Sequence, residues 1–262
     1  MREGTNLGWA DTPFGAARRP FVERTPLLAA FTVSTRAAAP DAIAAVYLRL
    51  PRGRTLTVTD TTLRFGFHAL AAEQPAETPS VAARLDALLV QGRRRAAILA
   101  GHRLADTLAT LATADAPTRG ITALAAAWPA QNAQPGLARL CDTAYGPTPP
   151  ALHKVCAAVH LHGLPTDSDP AAGPASAAPM TSATAPQTLR QVILRALGIA
   201  LLAARSAGHY QWDRLHLDTI VEAAAWDQTA VAPMTTPPAQ PSSHPATPPC
   251  HDDHTLTAEG AR

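Results

Sequence analysis

The stretch AAILAGHRLADTLATL, residues 96–111, runs from an apolar segment through a Gly-His pair into a helical pattern. Ala96–Ala100 has the length and apolarity of a short buried strand. From Arg103 to Leu111 the leucines recur at helical spacing, so the spacing predicts a helix. Gly101 and His102 therefore stand at the mouth of a strand-to-helix turn, with Asp106 in the first helical turn. Two chemistries suit that placement. One is a metal-dependent phosphodiesterase site built from His102 and Asp106. The other is a turn followed by an acid that the helix dipole favours.

Working outward, LLAAFTV (27–33) reads as a short strand, Ile43–Leu50 as a second and Thr55–Phe67 as a third. Pro51-Arg52-Gly53-Arg54 has the chemistry of a hairpin turn between the last two. Ser80 suits the N-cap of a helix carrying Val81, Leu85, Leu88 and Leu89, which closes at Gly92 and the Arg93–Arg95 run. On the C-terminal side follow a helix at about 122–128, a strand at Leu137–Cys141 ending in Asp142-Thr143, and a helix over Pro149–Val159. The longest apolar helix spans Gln187–Ala207, and a short helix ends near Trp226. Val192–Ala204 within the long helix, broken by Arg195 and Gly198, reads as a buried core segment. The order predicts an α/β fold with a mixed β-sheet and flanking helices.

The 262 residues carry a formal net charge of only +2, so no global basic field announces a polyanionic partner. Three widely spaced cysteines, Cys141, Cys156 and Cys250, argue against a disulfide framework and fit a reducing, cytoplasmic setting. No run reaches the ~18 continuous apolar residues of a membrane span, so no membrane partner is expected. PTDSDPAAGPASAAPMTSATAP (165–186) is a low-complexity insertion, and the Pro/Thr/Ser-rich chain from 228 to 262 reads as a disordered tail. The expected organisation is an N-terminal extension over 1–40, one α/β domain over 41–227 and the tail. His160 and His162 lack a third ligand in sequence and read as surface histidines. Tyr210, Trp212 and Trp226 read as packing residues. CHDDH (250–254) carries ligand-type residues without a neighbouring cluster.

The element order and four local motifs resemble the DnaQ-like 3′–5′ exonucleases of the ribonuclease H-like fold. LAGHRLADTLATL resembles that family's strand ending in Gly-His-Asn followed by a helix with an Asp. RLCDT resembles its later strand ending in Asp-Thr, and PALHKVCAAVHLHGLP the helix and turn after it. VILRALGIALLAAR resembles its last helix, which bears a His or Tyr five residues before an Asp. The resemblance covers roughly residues 41–226. It implies two-metal hydrolysis with Mg²⁺ or Mn²⁺ shared among carboxylates. The carboxylates available for it are Asp60, Asp106 and Asp142, with His102 beside them.

The sequence departs from that pattern at each motif. VYLRL has Tyr47-Leu48-Arg49 where Asp-x-Glu is expected. Asp106 follows His102 by four residues rather than five, a difference of about 100° around the helix. Arg195 holds the Asp position of the last helix, and Arg190 the His or Tyr position. The resemblance thus implies a degenerate member without a cofactor. In it Arg49, Arg103, Arg190 and Arg195 would contact the phosphates of a single-stranded nucleic acid. The alternatives are an active two-metal 3′–5′ exonuclease, and a protein-interaction module that recruits partners through its Pro-rich tail.

Overall fold

Strands with both faces covered cannot show an apolar–polar alternation, and the centre of this protein is built from two of them. The computed structural model describes residues 1–7, 26–36, 38–113, 118–129, 134–144, 148–166, 184–224 and 226. The low-complexity insertion (but for its first and last residues), the 228–262 tail, Cys250 and CHDDH lie outside the described residues. Strands β1 (Arg2–Thr5), β2 (Leu27–Arg36) and β3 (Ala39–Arg49) come first. On β2, Leu28 and Ala30 pack into one apolar cluster while Ala29 and Phe31 pack into the other. On β3, Val46 and Leu48 face the first cluster, and Ile43, Ala45 and Tyr47 the second.

The remaining elements are β4 (Leu56–Thr57), β5 (Gly66–Ala71), α1 (Thr78–Arg95), β6 (Ile98–Gly101), α2 (Leu104–Ala112), α3 (Arg119–Ala127), β7 (Arg139–Asp142), α4 (Leu152–Ala158), β8 (Leu161–His162), α5 (Thr184–Ser206), β9 (Tyr210–Gln211), β10 (Leu215–His216) and α6 (Leu217–Ala223). Six strands form one sheet in the order β1-β5-β3-β2-β6-β7. The pairs β1–β5, β5–β3 and β3–β2 are antiparallel, whereas β2–β6 and β6–β7 are parallel. Helices α4, α5 and α6 cover one face and α1, α2 and α3 the other. The fold is α/β with a mixed sheet and flanking helices.

Four expectations need correction. The segment expected as an extension over 1–40 supplies β1 and β2, so it belongs to the sheet and to the compact unit Met1–Ala230. Thr55–Phe67 is not one strand. After β4 the Thr59 amide donates to the Thr62 hydroxyl, and the Thr62 amide to the Thr59 carbonyl. These local bonds close a turn that competes with a ladder, and β5 begins only at Gly66. The expected antiparallel pairing survives only at the end of that segment, where Phe67 of β5 pairs with Val46 of β3; 51–54 does not join the two strands directly, and β3 pairs antiparallel with β2 on its other side. Ser80 is not the cap of α1, whose first residue is Thr78.

The Arg93–Arg95 helix end is only partly solvated. Arg93 is buried, and its guanidinium donates to the Ala138 carbonyl and to Gln134. It ties the approach to β7 onto α1, which satisfies a buried carbonyl with a charged donor. Helix α5 has the length and apolarity to cross a membrane, yet 72% of its most apolar window is buried inside the protein. Cys156 lies under this helix, and burial pushes its thiol up to about 12. Tyr210 donates to the Arg49 carbonyl at 2.7 Å and Trp212 to the Val159 carbonyl at 2.8 Å. Both fasten the chain after α5 to the rest of the fold, as expected of packing residues.

Candidate nucleic-acid interface

Parallel strands β6 and β7 end together, with Gly101 of β6 level with Asp142 of β7, beside β2, which pairs with β6 through Ala30 and runs on to Arg36. A Cβ built on Gly101 would stand 2.4 Å from the Cβ of Leu104. The glycine thus lets the first turn of α2 fold back onto the strand end. Gly101→Ala is expected to destabilise the protein by roughly 1–3 kcal/mol, the usual cost of overpacking a tight site. A urea titration checks this, and an unchanged midpoint would mean that α2 shifts freely.

Arg103, the residue that starts α2, takes the left-handed conformation at φ 53°. Such a conformation is costly for a residue with a Cβ. Its amide donates to Asp142 Oδ1 at 3.1 Å, which holds the turn in place. The same oxygen accepts the Ala144 amide at 2.9 Å, and Oδ2 accepts Trp128 Nε1 at 3.3 Å. Asp142 is thus the cap of α2 and the anchor of a buried tryptophan. Asp106 turns outward, its side chain 67% exposed, and pairs with Arg103 Nε at 3.1 Å.

His102 lies between these groups and the far layer. Its Nδ1 is 3.1 Å from the Thr143 hydroxyl, which also donates to the Gly101 carbonyl. Burial lowers the His102 pKa from its usual 6.5; Asp142 and the Pro150 carbonyl oppose that shift, and the positive charges of Arg103 and Arg195 reinforce it. Arg195 comes from the middle of α5 and is half-buried, and burial lowers the pKa of its guanidinium too. Because the folded His102 pKa lies below the unfolded one, the unfolded chain takes up this proton first as pH falls through 6.5. Stability is therefore expected to drop between pH 6.5 and the folded pKa, then level off. Urea midpoints at neutral and mildly acid pH check this: His102→Gln flattens the difference, and an equal drop in that variant would contradict it.

Five of the eight residues singled out from sequence share this edge: His102, Arg103, Asp106, Asp142 and Arg195. The other three do not. Arg49 ends β3 opposite Leu27, where β2 begins. Arg190 is paired with Glu222 at 2.6 Å, between α5 and α6. Asp60 accepts the His216 amide and faces its Nδ1 at 2.8 and 2.9 Å, far along the chain from the Gly-His turn. Sequence reading missed Thr143 and Trp128, whose polar atoms reach the site from β7 and α3; neither spacing signals it.

No family model, curated protein or solved structure matches this chain. The chemistry of the edge must therefore be read from its own groups. A two-metal site needs carboxylate oxygens free to be shared by ions about 4 Å apart. Asp142 has donors on both oxygens, Asp106 faces solvent beside an arginine, and β2 has no Asp or Glu between Leu27 and Arg36. Among the described residues, no group of three or more His, Cys, Asp or Glu side chains is placed to hold a metal ion. The donor set does not fit a pair of Mg²⁺ or Mn²⁺ ions. Its charged groups beyond the engaged carboxylates are the guanidiniums of Arg195 and Arg103, which suit an anion rather than a cation.

Proposed function

We propose that this protein binds single-stranded nucleic acid without hydrolysing it, at the edge where β6 and β7 end. The observation that carries the reading is that the carboxylates at this edge are already engaged as a cap and an exposed pair, while half-buried Arg195 is near enough for its charge to act on His102. A guanidinium held there offers a planar fork to a phosphate. The ribonuclease H-like reading of the fold is part of the proposal. It is supported by a central strand, β2, with antiparallel strands on one side and two parallel strands on the other, followed by helices on both faces.

The test is a labelled single-stranded oligonucleotide followed by fluorescence anisotropy between about 50 and 200 mM salt, in which phosphate contacts lose affinity steeply. The expected result is binding whose logarithm falls with log salt at about −0.7 per phosphate contacted. The same oligonucleotide keeps its length after incubation with Mg²⁺ or Mn²⁺. Binding indifferent to salt, or none at low salt, sinks the proposal. Shortening from the 3′ end restores the exonuclease reading in its place.

A further inference from the structure

His162 and His216 are 54 residues apart in sequence yet are register partners in the parallel β8–β10 pair. Register partners on neighbouring strands project to the same face, and both residues are exposed. Their ring centroids are 5.7 Å apart with the planes tilted by 32°. Asp60 fixes one of the two rings, since its Oδ2 is 2.9 Å from His216 Nδ1 while its Oδ1 accepts the His216 amide at 2.8 Å. A carboxylate on Nδ1 sets the tautomer: that nitrogen carries the proton, and Nε2 presents its lone pair outward.

We propose that His162 and His216 form a binding site for a divalent transition metal of the imidazole-preferring class, Zn²⁺ or Cu²⁺, with Asp60 orienting His216 behind it. The spacing suits it. Two imidazoles bound at about 2.0–2.1 Å on a tetrahedral ion place their ring centroids ~5.2 Å apart, within a small side-chain adjustment of 5.7 Å. The carboxylate–histidine pairing is the arrangement that raises ligand basicity in metal sites. Two nitrogens leave the remaining positions of the ion to water, so affinity is modest and the metal stays open to a further ligand. Hard ions such as Mg²⁺ are excluded by the nitrogen donors. This site shares no residue with the strand edge assigned to nucleic acid and does not rest on that reading.

The test uses the full chain, titrated with Cu²⁺ and Zn²⁺ by calorimetry, with electron paramagnetic resonance of the copper-loaded protein. The expected result is one ion per chain and a copper signal coupled to two nitrogens. His162→Ala, a change at an exposed side chain, removes one nitrogen coupling and weakens binding at least about tenfold; Asp60→Asn, which keeps both rings, weakens it by roughly ten- to a hundredfold. Unchanged melting of His162→Ala separates loss of the ligand from loss of the fold. Absence of binding in the native protein overturns the proposal. So does binding that survives His162→Ala/His216→Ala and disappears with His251→Ala/His254→Ala, which would assign the ion to the CHDDH segment.

Discussion

Asp142→Ala is expected to lower the unfolding free energy by about 3 kcal/mol. The change removes the side-chain acceptor that caps α2 through the Arg103 amide, for which ~1 kcal/mol is usual. It also orphans Trp128 Nε1 on a tryptophan that is only 2% exposed, and leaves the Ala144 amide without its acceptor. A buried donor without a partner costs on the order of 1–3 kcal/mol. The sign matters more than the size. An acid held in a metal-binding cluster is repelled by its neighbours when no ion is present, and removing it raises stability. Chemical denaturation of the metal-free protein therefore separates the two roles. A loss of stability marks Asp142 as a structural cap, whereas a gain would make it one of a set of clustered ligands. Asp142→Asn, which keeps an acceptor for Arg103 or Trp128 but not the charge, is expected to fall between alanine and the native residue.

Arg195→Gln is expected to weaken single-stranded nucleic acid binding at least about tenfold and to reduce the salt slope by roughly one contact. The side chain comes from α5, and its charge is felt at His102. Lysine at 195 keeps the charge but not the fork, so it restores the salt slope better than the affinity. Arg190→Gln serves as the comparison. That arginine is on the same helix but is held toward α6 by Glu222, outside the Gly-His turn's electrostatic neighbours, so its loss leaves affinity near native. Equal effects from the two substitutions would mean that the helix contributes only diffuse charge. Melting curves of both variants guard against a change in fold, since α5 spans the core.

The Gly-His stretch was legible because its signals are local. An apolar run, a glycine and a helical leucine spacing all lie within sixteen residues, and β6 and α2 follow them. The N-terminal strands were harder because both their faces are covered, and a run such as PDAIAAVYL then has no alternation to read. Leu56 and Val58 do alternate with threonines, but the last of these, Thr59, bonds Thr62 and turns the chain away. Arg93 shows the same limit for charge, since nothing in an arginine run tells which member is buried. Asp60 and His216 are 156 residues apart, and no spacing rule reaches that far. The departure of Arg195 from the carboxylate pattern needed no structure to be seen. Its location opposite His102 did.

The measurement that bears most directly on the central claim is nuclear magnetic resonance of the histidine rings while a single-stranded oligonucleotide is added. His102 belongs to the proposed phosphate site, whereas His209 bonds the Pro51 carbonyl and His162 sits on β8, among none of its groups. The account predicts that the His102 ring signals shift and that its pKa rises as a phosphate arrives, because a nearby anion favours the imidazolium. The His209 and His162 signals stay in place, and the His102 response is lost in Arg195→Gln. Saturable binding that leaves His102 unmoved while other rings shift would place the nucleic acid elsewhere and contradict the account.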